Sequence, residues 1–66
     1  MAFFIKENSS GFWYTKDGDL TTHKESIENL SVDVNLSLIR HGYSTQSEAN
    51  SAITSLGLSG VTVVEE

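Results

Sequence analysis

A small α+β domain is what this sequence predicts, an antiparallel-rich sheet of four to five strands in the order β-β-(β)-β-α-β with one helix packed on one face. Three observations point there. Aromatic and β-branched residues crowd positions 3 to 16 in two runs separated by turn formers; residues 30 to 38 alternate strictly between apolar and polar; and a helix-periodic segment with capping residues at its start leads into a valine-rich run near the end.

Phe3 to Lys6 and Phe12 to Lys16 read as two antiparallel strands, because Asn8-Ser9-Ser10-Gly11 between them is a turn-former cluster of hairpin length. Side chains alternate across a strand, so Phe3 and Ile5 share one face and Phe4 and Lys6 the other, while Phe12 and Tyr14 oppose Trp13 and Thr15. Asp17-Gly18-Asp19 marks a tight turn, since Gly tolerates positive φ, and Leu20 to His23 is a short third strand. Lys24 to Asn29 reads as a loop or a single helical turn. Leu30, Val32, Val34, Leu36 and Leu38 then alternate with Ser31, Asp33, Asn35 and Ser37, the period of a half-buried strand.

His41-Gly42-Tyr43 breaks that alternation. Thr45 as N-cap with Glu48 three residues on makes a capping box, and Ala49, Ala52, Ile53 and Leu56 fall at i, i+3, i+4 and i+7, a narrow apolar stripe on a helix of about three turns. Gly57 is placed to end that helix in the left-handed conformation, with Leu58 as its apolar contact. Val61 to Val64 closes the chain as a strand, and Glu65-Glu66 keep its end soluble.

All 66 residues fit one domain near the lower size limit for an independent core. At that size, reinforcement comes from disulfides, a metal or a partner. The chain has no Cys, and its two His stand eighteen residues apart, at 23 and 41, without metal-ligand spacing, so association is the remaining route. Nine acidic residues against four basic give a net charge of −5, which repels nucleic-acid phosphate at long range; Lys6, Lys16, Lys24 and Arg40 are scattered along the sequence. Apolar runs fall far short of the roughly 20 residues that cross a bilayer. Met1-Ala2-Phe3-Phe4 carries no signal-peptide pattern, so a soluble, cytoplasmic protein without membrane contact is expected.

No catalytic constellation emerges. Asp17, Asp19, Glu25 and Glu28 form an acidic region in solvated turns, where nothing pushes two carboxyl pKa values apart for acid–base work. Asp17-Gly18-Asp19 lacks the further oxygen ligands of a calcium loop, and Gly57-x-x-Gly60 follows a helix where a phosphate cradle precedes one. The expectation is no enzyme, no cofactor and no metal. Five of the six aromatic residues lie between positions 3 and 14, on both faces of the first hairpin, and exposed apolar area on a small protein marks an interface. Phe4, Trp13 and Tyr14, with Val61 and Val63 of the last strand, are therefore the candidate protein-interface residues.

The strand-turn-strand start, Gly42-Tyr43-Ser44-Thr45 and the Ala49/Ala52/Ile53 helix resemble small YegP-like domains. In character, short, acidic and rich in Ser, Asn and Thr, the chain is similar to small accessory proteins of tailed bacteriophages. That second resemblance implies a non-enzymatic interaction module acting in the host cytoplasm, bound to a host protein or to a second copy as a homodimer. The alternative from another class is a single-stranded nucleic-acid binder that stacks bases on an exposed aromatic sheet face.

Overall fold

The computed structural model describes residues 1–66. It contains strands β1 (Phe3–Glu7), β2 (Trp13–Tyr14) and β3 (Leu20–Thr21), helices α1 (Val32–Leu38) and α2 (Gln46–Leu56), and strand β4 (Val61–Glu65). One open antiparallel sheet runs β3-β2-β1-β4, so the architecture is α+β with four strands. The expected turns form. Gly11 (φ 76°) donates to Glu7 across the first hairpin, and Gly18 (φ 86°) donates to Thr15 in the Asp17-Gly18-Asp19 turn.

β2 is shorter than its aromatic run. It pairs with β1 only at Lys6↔Trp13; beyond that point the two strands part and residues 39–43 enter between them. Tyr43 exchanges both backbone hydrogen bonds with Phe3, at 2.8 and 2.9 Å, while the His41 N–H donates to the Tyr14 carbonyl and the Arg40 N–H to that of His23. Backbone groups freed on both strands are thereby satisfied by one inserted segment. Gly42 makes the insertion sterically possible, since a Cβ there would stand 3.1 Å from both Ala2 Cβ and the Phe4 ring.

Residues 30–38 correct the sequence reading: the predicted strand is helix α1. The interior of the sheet has no place for it, β1 being flanked by β2 and β4. Its polar half, Ser31, Asp33, Asn35 and Ser37, is built of residues that suit caps and turns better than strands. Ser31 caps the helix, its hydroxyl accepting from the Val34 N–H, and Asp33 sits in the first turn, where a carboxylate favours the helix dipole. The domain thus has two helices, with the order β-β-β-α-α-β.

α2 begins and ends where its signals lie. Thr45 accepts from the Glu48 N–H at 3.1 Å, and Gly57 closes the helix at φ 68°. The Glu48 carboxylate accepts from the Ser44 N–H, one residue before the usual capping-box partner. Ala49, fully buried, rests on Ile5 and Tyr14, with Phe3, Tyr43, Ala52, Ile53, Leu58, Val61 and Val63 around them. α2 therefore covers the Phe3/Ile5 face of the sheet and leaves the Phe4/Lys6/Trp13 face to other groups.

Candidate interaction surfaces

Asn35 is buried at 8% exposure, and its amide is the anchor of α1. The side-chain oxygen accepts from the Ile27 N–H, while the amide nitrogen donates to the carbonyls of Ile27, Leu30 and Ser31 at 3.1–3.2 Å. This orientation of the amide sets its oxygen toward the one N–H and shares its two N–H donors among the three carbonyls. At the other end of the helix, the Thr21 hydroxyl donates to the Leu38 carbonyl. Polar bonds thus hold α1 beside the β3 edge.

Its apolar side chains are left outside. Leu30, just before the helix, and Val34, Leu36 and Leu38 within it are 42–43% exposed, and Val32 is 73% exposed. Two residues advance about 200° around a helix and four about 40°. The alternating pattern therefore puts Val32 and Leu36 on one flank and Val34 and Leu38 on the other, with Asp33 and Ser37 on a crown opposite Asn35. A helix with apolar residues on two flanks has no single stripe to bury. Acidic groups border it: Glu25, Glu28 and Asp33 are all exposed, and no Lys or Arg occurs from position 25 to 39.

On the sheet face away from α2, the chain's cations gather. Arg40, carried in by the inserted segment, places its guanidinium carbon 3.5 Å from the Phe4 ring centre and 4.4 Å from that of Trp13; the two rings meet edge-to-face at 79°. The ammonium groups of Lys6 and Lys24 lie 5.6 and 5.4 Å from the Trp13 ring centre. Arg40 Nη1 also stands 2.7 Å from Glu66 Oε1 as an ion pair, although neither Nη1 nor Nε has an aligned hydrogen-bond acceptor. The Arg40 contact holds the Glu66 carboxyl below its ordinary value, against the opposing effect of desolvation, and the charges of Arg40, Lys24 and Lys6 add to the depression.

β4 forms one edge of the sheet. Ala2 and Glu66 exchange both backbone hydrogen bonds at 2.9 Å, so alternation along the ladder gives Phe4–Val64 and Lys6–Thr62 as the next bonded pairs. The N–H and C=O groups of Val61, Val63 and Glu65 consequently face outward.

The five sequence-predicted interface residues divide between these places. Trp13 is only 5% exposed and Tyr14 is buried, its hydroxyl donating to Glu7; Phe4 is half-buried beneath Arg40. Val61 and Val63 turn half-buried side chains toward α2 and their backbone to the free edge. The expectation of an exposed aromatic face is thus corrected: three of the four cations, scattered in sequence, converge to cover it. The exposed residues of α1 were missed because their alternation was read as a strand face, although Ser31 and Asp33 were available as N-terminal helix signals. No helix is long and apolar enough to cross a membrane. Comparisons with protein-family models, curated proteins and solved structures find no match.

Proposed function

We propose that this chain is a non-enzymatic protein-interaction module. The observation that carries the reading is α1 with the residue that leads into it, five large apolar side chains within nine residues, each at least 42% exposed and four of them presented by a helix that polar bonds lock in place. Apolar area displayed on a fixed element is the ordinary makeup of a docking surface. The likeness in character to phage accessory proteins fits this role, with a host protein in the host cytoplasm as the binding partner. Self-association through the β4 edge is a second use of the same small body, since unpaired strand groups template pairing with another strand.

A photo-cross-linking side chain placed at Leu36 tests the reading in the cells that carry the protein. A discrete cross-linked protein, lost when Val34 is also changed to Asp, is the expected result. Cross-links no more specific than those from a probe at Ser51, on the polar side of α2, would overturn it.

One observation favours nucleic acid as a second reading, the gathering of Lys6, Lys24 and Arg40 over aromatic rings. Against it, Trp13 has no free face for a base, and Glu66 already neutralises Arg40. Titration with a labelled oligonucleotide separates the two, because phosphate binding weakens steeply with salt.

A further inference from the structure

We infer that the α1 surface selects a protein partner whose apolar contact strip is edged by Lys and Arg. The inference rests on the interaction-module reading and adds the chemistry of the partner.

Three features specify that chemistry. The flanks of α1, Val32/Leu36 and Val34/Leu38, supply apolar area on both sides of a narrow ridge. The ridge itself carries Asp33, and the loop that leads into the helix carries Glu25 and Glu28, so every charged group from position 25 to 39 is acidic. The cations nearest in sequence are already engaged: Lys24 reaches the Trp13 ring, and Arg40 is held between Phe4, Trp13 and Glu66. The segment from 25 to 39 therefore carries three acidic groups and no cation of its own. A second copy of this chain meets it badly, since pairing α1 with α1 opposes two acidic rims on bodies of net charge −5 each. An anionic membrane or an acidic protein is repelled for the same reason. A surface that alternates apolar residues with Lys or Arg satisfies the flanks and the rim together, and its charge speeds encounter.

Three synthetic helical peptides of one length serve as probes: an amphipathic Leu/Lys peptide, its Leu/Glu counterpart, and a Lys/Ser peptide with the same cation count and no apolar stripe. Binding of the full chain is followed by fluorescence anisotropy at physiological salt. The Leu/Lys peptide is expected to bind roughly tenfold more tightly than either control. Leu36→Ser and Glu28→Lys are each expected to weaken that binding about fivefold or more, while circular dichroism and the unfolding midpoint stay near those of the parent. Equal binding of the Leu/Lys and Leu/Glu peptides overturns the charge selection, and equal binding of the Lys/Ser peptide reduces it to diffuse electrostatics. So does Leu/Lys binding that both variants leave unchanged. Failure of every peptide, with the Leu36 cross-link to a cellular protein intact, sinks the basic-partner inference alone. Failure of both removes the interaction module as well.

Discussion

Asn35 holds Ile27 by both of its backbone polar groups, accepting from the N–H and donating to the carbonyl. This clasp fixes the loop before α1, and with the Ser31 cap it decides where the helix stands. Exposed apolar side chains on α1 are thus held in position without being packed.

The clasp makes stability at Asn35 and at Leu36 diverge. Asn35→Ala leaves the Ile27 N–H and carbonyl and the Leu30 carbonyl short of partners, while the Ser31 carbonyl keeps its bond from the Asn35 N–H; a cost of about 1–3 kcal/mol is expected, with loss of amide protection at Ile27 in hydrogen exchange. Leu36→Ala, at an exposed site, is expected to cost less than about 1 kcal/mol in a urea titration. Ile5→Ala, at a residue 1% exposed, gives the contrast at about 2–5 kcal/mol. A Leu36→Ala cost as large as that of Ile5→Ala would show that α1 is packed into the core.

Gly42→Ala tests the inserted segment. The added methyl meets Ala2 and the Phe4 ring at 3.1 Å, and Gly42 does not have a positive φ, so the effect is steric. A loss of about 1–3 kcal/mol is expected. Trp13 fluorescence should shift to the red as Phe4 and Arg40 move away from the indole. An unchanged emission maximum would contradict the close approach.

The helix cap gives a smaller and non-additive pair. Thr45→Ala is expected to cost about 1 kcal/mol and Glu48→Ala less, with the double variant falling below the sum, because both residues stabilise the same first turn. Chemical denaturation of the four proteins measures the coupling. Strict additivity would mean that Glu48 acts independently of the cap.

Titration should bound stability on both sides. The Glu66 carboxyl is depressed by Arg40, and that of Glu7 by its hydrogen bond from Ser10, with smaller help from Tyr14 and Ser9 against desolvation. Both fold with pKa values below the ordinary 4.5, so their stabilisation is fully present above that pH and is lost as pH falls through the lower folded-state values. Burial raises the Tyr14 and Tyr43 hydroxyls above the ordinary 10.0, and the Glu7 hydrogen bond raises Tyr14 further. Their contribution is complete below pH 10 and disappears as pH rises through the folded-state values. Unfolding midpoints across pH should show both limbs, and Arg40→Met should flatten the acid limb. An acid limb insensitive to Arg40 would place the titrating group elsewhere.

For the sheet edge, Val63→Pro removes an outward N–H that the β1 ladder does not use, whereas Val64→Pro removes one that it does. Light scattering over a concentration series should show self-association weakened in Val63→Pro with the fold kept, and Val64→Pro should unfold. Association unaffected by Val63→Pro would move any dimer contact away from β4.

Local signals alone determined much of this protein. Turn residues with positive φ, a side-chain cap and a stripe at helical spacing act over a few neighbours, so the first hairpin turn, the Asp17-Gly18-Asp19 turn, α2 from Thr45 to Gly57 and the final valine strand are all legible in the residues themselves. The order of strands, the fate of residues 30–38 and the cover of Trp13 depend on distant contacts. Period-two alternation makes a strand only when the segment pairs with a sheet edge, and here a buried Asn35 amide, bonded to residues as far back as Ile27, turns the segment into a helix with its apolar residues outside. Likewise Lys6, Lys24 and Arg40 read as scattered charges until the split between β1 and β2 admits residues 39–43 and sets the guanidinium over two rings. Tertiary structure decided the surface because exposure belongs to the packing of segments that sequence order keeps apart.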